Sequence, residues 1–294
     1  MTLDVETVKE QQRGNWDAIS DGWEAFDDLF ERAAQAVTAR LLELAGVRSG
    51  QSVLDLGCGH GEPALSASEV VGPCGHVLGI DISPRMVAVA RRRANGRRNI
   101  TFRVADLESL DLPPESLHVV LSRWGLMCAS DHLATFRSLA GMLRPGGILA
   151  AAVWGDAIAA PMISLGYRVI SRELELAPPP PGLPGPFSMA DRERLVRDLV
   201  QAGFVDVSVS QMVVTFEVDS IADFVSFTLA VTPPPLRRLL AALPDRQDEE
   251  VVWSAVAEAA EAFRTDGVLR LPSSTWCLRA VAPPDSRSSR RAHG

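Results

Sequence analysis

The stretch Val53-Leu54-Asp55-Leu56-Gly57-Cys58-Gly59-His60-Gly61-Glu62, VLDLGCGHGE, decides the fold. An apolar run of strand type enters three glycines at alternate positions, with a carboxylate two residues before the first. The next segment, EPALSASEVV, reads as a helix, so backbone N–H groups collect at a helix N-terminus, where nucleotide-like ligands dock in open α/β sheets. The chain then keeps alternating. HVLGIDI reads as a strand, PRMVAVARRRAN as a helix with Pro84 in its first turn, and ITFRVAD as a third strand. LHVVLSRW is the fourth, HLATFRSLAGMLRPGG a helix closed by Pro-Gly, and ILAAAVW the fifth. Short apolar runs separated by helices specify a parallel sheet covered on both faces.

Outside this block the pattern changes. Residues 3–32 read as one or two helices with Trp16, Trp23, Phe26 and Phe30 on a partly apolar face, and a helix follows from about Glu31 to Ala45. Residues 156–177 read as a helix, APPPPGLPGPF as a stiff connector, and Arg192 to Gly203 as a helix ended by glycine. VDVSVSQMVVTFEV is a long strand, residues 219–264 are mostly helical with a TPPP break, and GVLRLPSSTWCLRAVA is a last strand. Two late strands without a crossover helix form an antiparallel edge pair. The expected division is therefore 1–32 as N-terminal cap helices, 33–155 as the ligand-binding core, and 156–188 with 219–265 as cap insertions. Residues 189–218 and 266–283 complete the core sheet, and 284–294 form a disordered tail.

Composition removes several function classes. The chain has 294 residues and a net charge of -8, which gives no basic field for nucleic acid. Lys9 is the only lysine, so the Gly-Lys of a nucleotide-hydrolysing loop is absent. Tyr167 is the only tyrosine, and Ser171 stands where the Tyr-x-x-x-Lys of short-chain dehydrogenases needs its lysine. Cys58, Cys74, Cys128 and Cys277 are scattered without a CxxC, so neither a metal site nor a disulfide framework is expected. The N-terminal stretch is polar and no apolar run approaches the roughly 20 residues of a spanning helix, which makes the cytoplasm the expected location.

The glycine loop also departs from the dinucleotide fingerprint G-x-G-x-x-G, since its third glycine comes one place early and Glu62 stands in that position. The acids suggest another ligand. Asp81, ending the second strand, can accept both hydroxyls of a ribose, and Asp106, ending the third, is placed for the exocyclic amine of an adenine. Asp55 suits a cationic group and would repel a pyrophosphate. A ligand with adenine, ribose and an amino-acid cation but no phosphates is S-adenosylmethionine.

VLDLGCGHG, GIDIS, VADLE, SRWGLM and LRPGGILAAAVW, in this order, resemble the successive motifs of class I S-adenosylmethionine-dependent methyltransferases. The chain is similar to the subgroup of ubiquinone/menaquinone C-methyltransferases and small-molecule natural-product methyltransferases. The resemblance implies a Rossmann-like, mostly parallel seven-stranded sheet of order 3-2-1-4-5-7-6, with strand 7 antiparallel and a helical cap. It implies S-adenosyl-L-methionine as cofactor, with Gly57 and Gly59 at the methionine part, Asp81 at the ribose, and Asp106 with Leu107 at the adenine. Ser122 and Arg123 would lie near the methionine and the transferring methyl, and Asp55, Cys58, Ile82, Met86, Ala105 and Trp124 complete the cofactor-binding set.

Methyl transfer from a sulfonium asks chiefly for alignment and exclusion of water, and a base is needed only where the acceptor must lose a proton. His60 sits in the glycine loop, His76 and His118 open strands at the far edge of the sheet, and His293 is in the tail. His132, just past the fourth strand, is the candidate base, weighed against a plain helix N-terminal residue behind its cap Asp131. Asp156, Glu173, Glu175 and Tyr167 are the other candidates, Tyr167 either lining the acceptor pocket or facing solvent. Trp16, Trp23, Met127, Trp154 and Phe187 are expected to line that pocket, where aromatic faces can meet a sulfonium or a carbocation. With Met189, Phe224, Phe227 and Leu229 they make the cap apolar, which favours a small hydrophobic acceptor over a macromolecule. The reading leans to C-methylation of an isoprenoid, quinone-like or natural-product acceptor. O- or N-methylation, or a cyclase that binds the cofactor without transferring its methyl, are the alternatives, and a homo-oligomer is compatible with the sequence.

Overall fold

The computed structural model describes residues 5–178 and 183–284. Helices α1 (Val5–Ala25) and α2 (Asp27–Ala45) lead into β1 (Ser52–Leu56), α3 (Ala64–Val71), β2 (His76–Asp81), α4 (Pro84–Ala94) and β3 (Ile100–Val104). β4 (Leu117–Arg123), a single 3-10 turn (Leu126–Cys128), α5 (His132–Met142) and β5 (Leu143–Trp154) follow. The remainder is α6 (Pro161–Glu173), α7 (Arg192–Gln201), β6 (Val205–Val218), α8 (Ile221–Val231), α9 (Pro234–Ala241), α10 (Arg246–Glu261), β7 (Arg264–Thr265) and β8 (Val268–Val281).

The strands are ordered β3-β2-β1-β4-β5-β8-β6, with β7 paired beside β8. β1 to β5 pair in parallel, and β5 pairs antiparallel with β8 from Ile148↔Val281 to Trp154↔Thr275. With the two-residue β7 set aside, this is the expected order with its antiparallel late strand. β7 is an addition: Asp266 and Gly267 both take positive φ, 53° and 84°, the pairing that a tight two-residue hairpin turn requires.

One segment corrects the sequence reading. LRPGG does not close α5. That helix ends at Met142, and Leu143 already pairs with Leu117 of β4. The register slips before Ile148 meets Val119, so Pro145 and its glycines bulge out within β5 rather than stopping a helix. The chain beyond β8 holds the bulge, Gly146 N–H donating to the Ala282 carbonyl at 3.1 Å and Ala282 N–H to Gly147 at 2.8 Å. The helix expected over 156–177 is also shorter, starting at Pro161, and the two N-terminal helices divide at Phe26. The connector residues 179–182 and the tail from Asp285, with His293, lie outside the described residues.

The chain divides into two compact units. One comprises residues up to Gln35, Asp156–Leu183 and Val213–Ser274; the other comprises Ala36–Gly155, Pro184–Met212 and the chain from Thr275. In the first, α1 packs on α8, and α10 packs on α6 and α8. Its aromatic centre joins Trp23 edge-on to Phe30 (5.0 Å) and Phe227 (5.5 Å), with Phe216 tilted against Phe30 at 4.8 Å. The second unit holds the glycine loop. Its core is built on the apolar runs of β1, β4 and β5, in which Leu54, Leu56, Val120, Leu121 and Ala150 to Val153 are fully buried. α4 begins on Ser83, whose hydroxyl accepts the Met86 N–H at 3.2 Å, and it turns Val87, Ala90 and Ala94 inward. No described helix is long and apolar enough to cross a membrane.

Candidate active site

All the strands from β1 to β5 end at one edge of the sheet, and the loops there carry the acids singled out in the sequence. Gly57 turns the chain out of β1 with φ +66°, and its backbone lies against that of Gly125, just past β4. Cys58 N–H then donates to the Ile80 carbonyl at 2.9 Å, and Gly61 N–H to the Cys58 carbonyl at 2.7 Å. A side chain added at Gly59 would meet nothing within 4 Å, so this backbone has open space above it.

The carboxylate of Asp55 is wholly buried. Its Oδ2 accepts the Ala64 N–H at 3.0 Å, while Oδ1 has no hydrogen-bond partner. Burial pushes its pKa up from 3.8 to about 8, a rise opposed by the Arg123 guanidinium and the Ala64 N–H and aided by Glu62 and Asp81. A buried, orphaned carboxylate oxygen is costly unless something brings it a proton or a cation.

Asp81 closes the opposite side of the loop. Its Oδ2 accepts from Gly59 N–H and its Oδ1 from Ser83 N–H, both at 2.9 Å. Burial raises its pKa, against the pull of those two N–H groups. The Ile82 N–H acts on it as well, and the carboxylate keeps acceptor capacity for a hydroxyl. Ile82 is half-buried and Met86 buried beside it. Ala105 N–H donates to the Asp81 carbonyl at 3.0 Å, which brings the end of β3 and Asp106 alongside. Asp106 Oδ1 accepts from Glu108 N–H at 2.9 Å, and Leu107 is half-buried.

The N-terminus of α3 carries two acids. Besides Asp55 on Ala64, Glu62 accepts from the Ser66 hydroxyl at 2.7 Å and its N–H at 3.4 Å. A helix end that binds a pyrophosphate presents free N–H groups to it; here carboxylates hold that position. The residue replacing the third glycine of the dinucleotide fingerprint thus bonds the first turn of α3.

Past β4, the Ser122 hydroxyl donates to the Leu56 carbonyl at 2.8 Å and accepts from Leu126 N–H at 3.0 Å, tying the two loops together. Arg123 donates to the Thr38 hydroxyl at 2.9 Å and lies 5.5 Å from the Trp124 ring centre. Trp124 adopts a left-handed backbone, φ +61°, unusual for a bulky residue. Its ring stacks on Trp154 at 4.2 Å and 7°, and its Nε1–H donates to Thr275, whose hydroxyl donates to the Val153 carbonyl. Both rings are buried, so they form a fixed aromatic block at the ends of β4 and β5.

The remaining candidates are distributed over both units. His132 is the first residue of α5 behind Asp131, whose side chain accepts from Ala134 N–H at 2.9 Å. Ser188 donates its hydroxyl proton to the Met127 carbonyl at 2.6 Å, so its oxygen can only accept from His132 Nε2–H, at 3.3 Å. Burial and Arg194 lower the His132 pKa, against Asp198, Asp131 and Glu108. His118 opens β4 and accepts from Ser52 N–H at 3.0 Å, and His76 opens β2, both away from the glycine loop. Met127 and Met189 are buried and Phe187 is half-buried in this unit. In the other unit Trp16 and Trp23 are half-buried, Phe224 and Phe227 are buried, and Tyr167 and Leu229 face solvent. Among the described residues, no His/Cys/Asp/Glu group could hold a metal ion.

Residues that sequence reasoning passed over include Thr38, Ala64, Gly125 and Thr275. Gly125 stood inside a quoted motif and Ala64 inside the helix that follows the glycine loop, nine residues from Asp55; Thr38 and Thr275 act across long stretches of chain and carry no local signal.

A family described as "Methyltransferase domain" matches residues 53–147. The chain is 40% identical over 111 residues to the ubiquinone/menaquinone biosynthesis C-methyltransferase UbiE of Pseudomonas putida, covering 37% of this chain and 43% of the relative. It is 36% identical over 113 residues to the aklanonic acid methyltransferase DauC of Streptomyces sp., covering 38% and 51%. The matched stretch thus spans about half the length of these relatives. Among solved structures, phosphoethanolamine N-methyltransferase 2 of Haemonchus contortus superposes with a TM-score of 0.58 at 20% identity, over 97% of this chain and 61% of that one. That likeness concerns the fold. Residues 53–147, the stretch that builds the glycine loop and its acids, are thus the part of the chain that matches a methyltransferase domain, in line with the resemblance carried by the sequence motifs.

Proposed function

We propose that the protein is an S-adenosylmethionine-dependent methyltransferase acting on a small hydrophobic acceptor. The observation that carries this reading is Asp55 Oδ1, wholly buried and without a partner beside open backbone at Gly59. An ammonium group answers that oxygen, and a phosphate would not. Asp81 would hold the ribose hydroxyls and Asp106, with Leu107, the adenine amine. Bound there, the cofactor supplies a methyl group on a sulfonium. The residues of this chain align it: Gly57 and Gly59 leave room along the backbone, and the Trp124–Trp154 block gives a rigid apolar wall that excludes water.

For the acceptor, the reading keeps its lean to carbon. UbiE is named as a C-methyltransferase of quinone biosynthesis, and DauC as a methyltransferase of aklanonic acid. His132 is half-buried and engaged with Ser188, which favours an anchoring part over that of a base. O- or N-methylation and cofactor-assisted cyclisation are the competing outcomes. We place the protein in the cytoplasm, with the helices outside the methyltransferase domain supplying the acceptor cap.

Calorimetry with S-adenosylmethionine, followed by mass spectrometry of reactions with quinone, phenol and prenylated compounds, tests the reading. Binding, and a product heavier by one methyl group, support it. A product of unchanged mass makes the protein a cyclase. Failure to bind the cofactor overturns the proposal.

A further inference from the structure

Asp55 and Arg123 are opposite charges on one face of the sheet. In the parallel β1–β4 register Asp55 pairs with Leu121, and side chains alternate along a strand, so Arg123 shares its face one pleat nearer the carboxyl edge. Two contacts fix the guanidinium there. Thr38 of α2 accepts from Nη1 at 2.9 Å, and the Trp124 ring lies 5.5 Å away. The ring is itself immobilised by Trp154 and Thr275. The other groups facing Asp55 oppose its charge or give little help. Glu62 and Asp81 repel it, the Cys58 thiol is buried and held protonated, and α3 offers the single Ala64 N–H. Without Arg123, burial would hold the carboxyl neutral to a still higher pH, and a neutral acid does not attract a cation.

We propose that Arg123 is the positioning residue for Asp55: held by Thr38 and Trp124, its guanidinium keeps the carboxyl ready to ionise, so that the orphaned oxygen meets an ammonium group as a charge. The inference rests on the reading that Asp55 receives the amino group of the cofactor. Arg123 is thereby given a part through Asp55, distinct from direct contact with the methionine. The same electrostatics accounts for the direction in which Arg123 moves the Asp55 pKa.

The test compares Arg123→Met, which keeps the stem and removes the charge, with Arg123→Lys and with Thr38→Val. The Asp55 carboxyl is followed by ¹³C NMR in the ligand-free protein, and S-adenosylhomocysteine affinity by calorimetry from mildly acid to mildly alkaline pH. In R123M the Asp55 midpoint is expected to rise by about one pH unit or more, the usual effect of losing an adjoining opposite charge. The acid limb of affinity moves with it, so binding on that limb weakens about tenfold and recovers at alkaline pH. R123K restores most of the native profile, and T38V shifts it the same way by less. An unmoved Asp55 midpoint, or a loss of affinity equal at every pH, overturns the inference. If the native protein does not bind S-adenosylhomocysteine while the midpoint still rises in R123M, the cofactor reading falls and the charge pairing stands.

Discussion

The backbones of Gly57 and Gly125 meet with no room between them. A Cβ built on Gly57 would lie 2.7 Å from the Cα of Gly125, and one built on Gly125 would lie 2.9 Å from the Cα of Gly57. Gly125 has an ordinary φ of -94°, so Gly125→Ala probes space alone, at an expected cost of about 1–3 kcal/mol in urea unfolding. Gly57→Ala adds the left-handed conformation and should cost roughly 1 kcal/mol more. Equal stability of both variants and the native protein would show that the two loops are free to part.

Asp81→Ala removes the acceptor shared by Gly59 and Ser83 and, on the proposed function, by the ribose. Cofactor affinity is expected to fall by about 1–3 kcal/mol in calorimetry. An unchanged affinity would take the ribose away from Asp81.

Asp55 gives a pH dependence whose sign follows from its environment. Its folded pKa, about 8, exceeds the ordinary 3.8, so the native state favours the protonated form. Stability of the ligand-free protein should therefore be full below about pH 4 as far as this group is concerned, and should decline as pH rises towards 8. The slope is at most about 1.4 kcal/mol per pH unit. Asp55→Asn, permanently neutral, should flatten this decline and lose cofactor binding. Parallel stability profiles for D55N and native protein would refute the buried charge. The variant D55N is best followed by chemical unfolding at several pH values.

His132→Ala should leave turnover nearly intact, because the imidazole donates to Ser188 and serves to anchor that segment. Loss of that bond should lower stability by about 1 kcal/mol. A fall in kcat of two orders of magnitude or more, on the scale of a lost general base, would restore His132 as a base and favour an oxygen acceptor.

Thr275→Val would leave the Trp124 indole N–H buried without its partner, at an expected cost of about 1–3 kcal/mol. Near-ultraviolet dichroism, which reports the Trp124–Trp154 stack, should weaken together with the melting temperature.

Much of the fold was legible because its signals are local. Strand, loop and helix alternate within short stretches, and Asp81 stands at the end of β2 and Asp106 just past β3, where the sequence put them. LRPGG was misread because Pro-Gly breaks a strand ladder as readily as a helix, and only the pairing of Leu143 with Leu117 separates the two. The aromatic block was half visible: Trp124 and Trp154 were singled out, yet the hydroxyl that locks them lies 151 residues from Trp124. Thr38 likewise reaches Arg123 across 85 residues. Leu229 was assigned to an apolar cap by type, and it faces solvent because α8 turns Phe224 and Phe227 inward instead.

If the proposed function holds, the acids at the start of α3 bear on which adenosine compounds the protein can ignore. Cells hold ATP and nicotinamide coenzymes in large excess over most other adenosine-bearing molecules, and a pocket reading adenine and ribose alone would be swamped by them. Asp55 and Glu62 already occupy the first donors of that helix, the Ala64 N–H and the Ser66 hydroxyl, so on the proposed function a phosphorylated competitor would find the end it uses to dock taken. On that function, selectivity against such rivals would reside in the capping of one short helix and not in the groups proposed to read the base.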